Sequence, residues 1–157
     1  MKKNKTFGYI ISVLIAQTVG WVSALFTMPQ VDTWYEVLDK PFFNPPSWVF
    51  GPVWTLLFTL MGIAAYRVWS LRSKPLAKTG LKIYGLQLLL NFTWSILFFG
   101  LQNPTAAFME IVILLSAIVL NTILFSRVDK LAGWLFLPYV LWVGFATILN
   151  FTIVILN

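Results

Sequence analysis

A chain of 157 residues that is 59% hydrophobic and 10% charged cannot clothe a water-soluble surface in polar groups, which excludes the soluble enzymes and soluble binding modules as classes. The absence of cysteine and histidine removes disulfides, thiolate nucleophiles and the usual metal clusters, so no metal site is expected. The net charge of +6 would fit a nucleic-acid partner only if the basic residues gathered on one soluble face, and they do not.

The first apolar run covers about Phe7–Met28 and follows Lys2, Lys3 and Lys5. Val22-Ser23-Ala24 loosely resembles a signal-peptide cleavage site, yet the run exceeds the usual apolar core of such a signal and reads as a span. Within it, Ala16, Gly20 and Ala24 form a small-residue stripe that admits another helix closely, from the same chain or from a second one.

The segment of about 29–49 comes next. It holds Pro29, Pro41, Pro45 and Pro46, the acidic Asp32, Glu36 and Asp39, and the rings of Trp34, Tyr35, Phe42, Phe43 and Trp48. The prolines argue against a long helix, and the aromatic density argues against a solvated coil. Either it packs as a lid over the mouth of a bundle, or it forms an interfacial aromatic belt.

Four further runs follow at about Phe50–Trp69, Leu81–Leu101, Ala106–Phe125 and Gly133–Leu156, the last two separated by the hydrophilic stretch Ser126–Ala132. Each is long enough at about 1.5 Å per residue to cross roughly 30 Å of hydrocarbon. The fold class expected is therefore an all-α integral membrane protein, a single domain of five spans over 1–157 with a packed loop between the first two. If the spans alternate, every Lys and Arg except Lys40 falls on the N-terminal side. That places the N-terminus in the cytoplasm and the C-terminus outside, and gives the positive charge a role in orientation and lipid contact.

Polar and indole groups inside the spans carry the functional signal, because they need partners that lipid does not supply. Trp54 and Trp142 lie within spans rather than at their ends. In the third span Gln87, Asn91 and Ser95 recur at helical spacing, with Trp94 beside them, and in the fifth Trp142, Ala146 and Asn150 do the same after Pro138. Two such stripes facing each other make either the wall of a small-molecule cavity or interhelical hydrogen-bonding glue. Glu110 sits shallowly in the fourth span and should reach the interface. A proton or ion role for it would need a second ionisable group in the membrane. No glycine-rich phosphate loop and no pair of deep carboxylates is present, so a conventional enzyme is not expected.

The string Trp34-Tyr35-Glu36-Val37-Leu38-Asp39-Lys40-Pro41, followed by Asn44-Pro45-Pro46-Ser47-Trp48-Val49-Phe50-Gly51-Pro52-Val53-Trp54, resembles the translocator protein family, also called TspO/MBR or tryptophan-rich sensory proteins. The likeness continues through Met61-Gly62, Gln87-Leu88, Leu90-Asn91, Trp94, Phe98-Phe99-Gly100, Pro138-Tyr139, Trp142, Phe145-Ala146-Thr147 and Leu149-Asn150.

What the resemblance implies is a five-helix bundle, often a homodimer, with a ligand cavity capped by the first long loop. It implies a receptor or carrier for porphyrins such as protoporphyrin IX and related hydrophobic ligands, with a sensory or transport role and no required cofactor. By motif position, Ala24, Tyr35, Pro46, Trp48, Trp54, Asn91, Trp94, Trp142, Ala146 and Leu149 become the candidate ligand-binding residues. Trp54 and Trp142 become catalytic only under the alternative that the cavity degrades porphyrin with light and oxygen. A structural or regulatory membrane subunit is the remaining alternative. Animal members follow the Leu-Asn of the last span with Tyr and Arg in a sterol motif, whereas here Asn150 leads into Phe151-Thr152-Ile153, so that motif is not carried over. The short tail and basic N-terminus point to a bacterial cytoplasmic membrane.

Overall fold

Long apolar runs with no internal charge have one way to satisfy their backbone inside a bilayer, and all five become helices. The computed structural model describes residues 5–157; Lys2 and Lys3 lie outside them. The helices are α1 (Lys5–Val31), α2 (Trp34–Val37, a single turn), α3 (Phe50–Ser70), α4 (Ala77–Ser95), α5 (Pro104–Val128) and α6 (Lys130–Leu156). A 3₁₀ turn at Ser47–Val49 leads into α3, and a π turn at Ile96–Gly100 ends α4. With these turns included, five helices are long and apolar enough to cross a membrane.

Consecutive spans run antiparallel. Ser12 donates to the Gly62 carbonyl at 2.7 Å and Gln17 to the Thr55 carbonyl at 2.8 Å, which aligns α1 against α3. Asn121 of α5 donates to the Gly80 carbonyl of α4 at 3.0 Å, and the rings of Phe108 and Phe151 meet at 5.1 Å across α5 and α6. With α6 also packed on α3, the five spans close into a ring ordered α1, α3, α6, α5, α4.

The core is a continuous buried cluster running through Met61, Ala64, Val68, Ile118, Phe125, Phe136 and Tyr139, while large apolar side chains such as Leu25, Met109 and Leu141 point outward. In lipid such exposure costs nothing, so association rests on close packing and interhelical hydrogen bonds rather than on removal of oil from water. The small-residue stripe of α1 works within the chain. Ala16 is fully buried, and a side-chain carbon at Gly20 would lie 2.7 Å from the Phe58 ring of α3.

The structure corrects three local expectations. Pro29 does not begin the loop but lies inside the last turn of α1, where it removes the N–H that would have bonded the Leu25 carbonyl and leaves only two helical residues beyond it. The hydrophilic stretch Ser126–Ala132 is helical except for Asp129. That residue alone turns the chain, its Oδ1 accepting from the amides of Leu131 at 2.9 Å and Ala132 at 3.2 Å as the N-cap of α6. Glu110 does not reach the interface; it is 8% exposed, and neither carboxylate oxygen has a hydrogen-bond partner among the described residues.

Asp129 also accepts from Arg67 at 2.8 Å, tying the end of α3 to the start of α6. Burial alone would raise its pKa, but the Arg67 hydrogen bond and charge and the two amide bonds together hold it below the usual carboxylate range. A carboxyl lowered in the folded state adds stability above its unfolded pKa and loses it as pH falls through the folded value. Thermal unfolding of the detergent-solubilised protein, scanned from about pH 7 to about pH 2, should therefore show an acid-limb loss that Asp129→Asn shares only in reduced form. An identical acid limb in the variant would remove Asp129 from the account.

Candidate functional site

Near the end of the bundle that carries the loop, α1, α3, α4 and α6 do not pack to full density but surround one cavity of about 430 Å³. That volume lies within the usual range for a small-molecule site. Ala24, Tyr35, Trp54, Asn91, Trp94, Trp142, Ala146 and Leu149 all line it, so the stripes of the third and fifth spans face the same space. Pro46 and Trp48 do not line it. Pro46 precedes the 3₁₀ turn, and Trp48 is 75% exposed, pointing away from the cavity like an interfacial anchor.

Four indoles line the cavity; Trp21 on α1 is mostly turned outward, and the other three differ in what they can still offer. Trp94 donates its Nε1–H to Asn150 Oδ1 at 3.1 Å and stacks on Phe98 at 5.0 Å and 21°. Its donor and one of its faces are therefore committed. Trp54 leans on Phe58 at 5.7 Å and meets Tyr139 edge-on, and Trp142 stands between Phe50 and Phe145. Among the described residues neither of these two indole N–H groups is paired within the protein, which leaves both for a ligand.

Beneath the cavity, a buried chain of amides and one phenol joins α4 to α6. Tyr139 donates to Gln87 Oε1 at 2.8 Å and accepts from Asn91 Nδ2 at 2.9 Å, and Gln87 Nε2 points to Met61 Sδ at 3.7 Å. Asn150 passes its own Nδ2–H to the Pro104 carbonyl at 2.9 Å, adding α5 to the network. The polar stripes thus serve as glue and as wall together: Gln87 is wholly internal, while Asn91 and Asn150 are bonded on one side and face the cavity on the other.

The loop is built as a packed cover. Trp34 and Tyr35 rest on Phe98 and Phe99, two consecutive residues that are both buried because the π turn adds a residue at that point of the helix. Tyr35 donates to Asn44 Oδ1 at 2.6 Å. Burial pushes its phenol up to about 12 against the lowering effect of that bond, so it stays a neutral donor. The Lys40 ammonium donates to the carbonyls of Tyr35, Glu36 and Leu38 at 2.8, 2.8 and 3.0 Å. Asn157 clasps the loop from the far end of the chain, accepting from the Asp39 amide at 3.0 Å and donating to its carbonyl at 2.9 Å.

Several participants escaped the sequence reading, among them three polar residues of α1 and a tyrosine of α6. Gln17, Ser23 and Thr27 line the cavity from α1, and Tyr139 holds Asn91 in place. Gln17 carried a legible signal, a glutamine in the middle of an apolar run. The others did not, since a serine, a threonine or a tyrosine is unremarkable in a membrane helix.

Comparison with known proteins agrees with this architecture. The model of the TspO/MBR family matches residues 12–156. The chain is 44% identical over 148 residues to the tryptophan-rich protein TspO of Archaeoglobus fulgidus, covering 94% of this chain and 95% of that one. It is 39% identical over 126 residues to a tryptophan-rich sensory protein of Cereibacter sphaeroides, covering 80% and 78%. It is 34% identical over 144 residues to the human translocator protein, covering 88% and 84%. A match across nearly the whole chain, on a ring of five spans whose indoles meet in one cavity, places this protein in the TspO/MBR family.

Proposed function

We propose that the protein is a membrane receptor or carrier that binds a flat, amphipathic tetrapyrrole, protoporphyrin IX serving as its test ligand, in the cavity under the loop. The observation that carries this reading is the pair Trp54 and Trp142, two unbonded indoles on different helices facing one apolar space. Names of relatives such as sensory protein and translocator protein are in keeping with a receptor or transport role.

The macrocycle would lie against these two rings, and Asn91 would meet a polar edge with the amide oxygen that Tyr139 leaves free. No Lys or Arg lines the cavity, whereas Asp32 stands at its mouth. The propionate edge of a porphyrin gains no ion pair inside and stays at the interface. The bacterial cytoplasmic membrane, an N-terminus in the cytoplasm and a homodimer complete the reading. Among the described residues, all the basic ones but Lys40 gather at the end opposite the loop, as the positive-inside rule asks of a cytoplasmic face.

Titration of protoporphyrin IX into the protein in lipid nanodiscs should give a saturable absorbance change. Trp142→Leu and Trp54→Leu should each weaken it roughly 2- to 12-fold, the equivalent of ~0.5–1.5 kcal/mol for one aromatic pair. Unaltered affinity in both variants would sink the indole wall. If illumination in air also yields a new product spectrum that either variant abolishes while still binding, the cavity degrades the porphyrin rather than merely holding it.

A further inference from the structure

We propose that the cavity is loaded sideways from the bilayer, by an amphiphile already dissolved in lipid, through a slot between the loop-end halves of α1 and α3. This deepens the reading above and rests on the cavity being the ligand site.

The slot follows from a change of partner along α1. Its ties to α3 all fall in the basic-end part of the helix: Tyr9 meets Tyr66, Ser12 bonds Gly62, Gln17 bonds Thr55 and Thr59, and Gly20 admits the Phe58 ring. Beyond Gly20 the contacts turn to the other side. Phe26 meets Phe92 of α4 at 5.9 Å, and Gln30 accepts from Gln102 beyond the π turn at 3.0 Å. The two helices therefore diverge like a V whose floor is the Gln17–Thr55 bond.

The residues on the two arms of the V are at once cavity wall and outer surface. Trp21 and Met28 of α1 line the cavity and are 59% and 72% exposed, and on α3 the cavity-lining Gly51 and Thr55 are also exposed. Because both arms belong to membrane spans, what lies outside this opening is lipid hydrocarbon. No hydrogen bond crosses the slot above Gln17 among the described residues. The loop, in contrast, is tied to α6 by both bonds of the Asn157 clasp and packed through Trp34 and Tyr35 on Phe98 and Phe99, while Lys40 and the Tyr35–Asn44 bond stiffen it internally. Opening the loop breaks the clasp and lifts the two rings from α4; passing through the slot disturbs neither.

The slot also selects a ligand class. It runs from the polar pair Asp32 and Ser47 at the interface past the apolar Trp21, Ala24, Met28 and Phe58, so it accepts a molecule with a polar end that stays at headgroup level and an apolar body that slides inward. A fully water-soluble compound has no such path.

The absence of native cysteine allows a test that needs no ligand. Ala146→Cys, on the α6 wall of the cavity, is to be labelled in nanodiscs by a lipid-dissolved pyrene maleimide and by a water-soluble sulfonated maleimide. Lateral loading predicts that the pyrene reagent reacts faster than its charged counterpart. A side-chain carbon at Gly51 would meet nothing within 4 Å, so Gly51→Trp, or the smaller Gly51→Phe if helicity suffers, places a ring in the slot without displacing a helix. Either should slow the pyrene reaction by about tenfold or more, while releasing the clasp with Asn157→Ala should leave it unchanged. The proposal is overturned if plugging the slot has no effect, if releasing the clasp accelerates labelling, or if both reagents are equally excluded because a second copy of the chain covers the slot. A failed porphyrin titration with slot-dependent labelling would remove the ligand and keep the route; saturable porphyrin binding with slot-independent labelling would do the reverse.

Discussion

Gly62→Leu should leave the protein unable to form its native bundle, read as loss of a monodisperse detergent-solubilised species and of a cooperative thermal transition. A side-chain carbon at this position would lie 2.5 Å from Val13 Cα and 2.9 Å from the Ser12 carbonyl oxygen. Those are backbone atoms of α1, which cannot rotate away as a side chain would. Overpacking ordinarily costs ~1–3 kcal/mol because neighbours yield; here the yielding element is a whole helix, which would also pull Ser12 from the Gly62 carbonyl. Even Gly62→Ala should lower the transition measurably. Gly85→Ala and Gly144→Ala supply the control, since a carbon at either meets nothing within 4 Å, and both should be neutral or gain up to ~1 kcal/mol of helix propensity. Equal behaviour of all three alanine variants would mean that α1 and α3 are not in close contact at Gly62.

Removing one hydroxyl from each of two buried tyrosines should move stability in opposite directions. Tyr139→Phe takes away the donor to Gln87 and the acceptor for Asn91, leaving two buried amide groups unpaired. The expected loss is ~1–3 kcal/mol, toward the lower part of that range because membrane hydrogen bonds average less than those in water. It should also free Asn91 to change rotamer, so porphyrin affinity should shift along with stability. Tyr84 has a buried hydroxyl with no partner among the described residues, and Tyr84→Phe therefore relieves an unpaired polar group and should be neutral or stabilising. Denaturant titration of the two variants beside the parent protein decides the matter, and a destabilising Tyr84→Phe would reveal a partner for that hydroxyl.

Much of the fold was legible because its cause is local. Each apolar run is a sum of side-chain transfer energies, and no packing detail was needed to recognise five of them. The edges were less legible for a physical reason that Asp129 makes plain. A polar stretch outside the hydrocarbon is free to stay helical, and whether it does so depends on a single cap and on Arg67 arriving from another helix. Pro29 misled in the same way, since a proline signals a break only when the helix still has several turns to run.

The candidate site divides along similar lines. Periodicity put Gln87, Asn91 and Ser95 on one face and Trp142, Ala146 and Asn150 on another, and the family resemblance added Ala24, Tyr35, Pro46, Trp48 and Leu149. All of these except Gln87, Pro46 and Trp48 line the cavity. Which indoles remain free was invisible along the chain, because Trp94 is tied by Asn150, 56 residues away, and that pairing depends on the register between α4 and α6.

By itself, then, the sequence determined that this chain spans a membrane five times, where along the chain each span is centred, and which faces carry polar groups, since hydropathy and helical periodicity belong to each segment alone. Only the tertiary structure decided that α1 abandons α3 halfway along, that Tyr139 pins Asn91 while Trp54 and Trp142 stay unpaired, and that the loop is clasped by the last residue. Those outcomes depend on helix crossings and on hydrogen-bond partners far apart in sequence, and such pairings are selected by packing, not by the propensity of either partner.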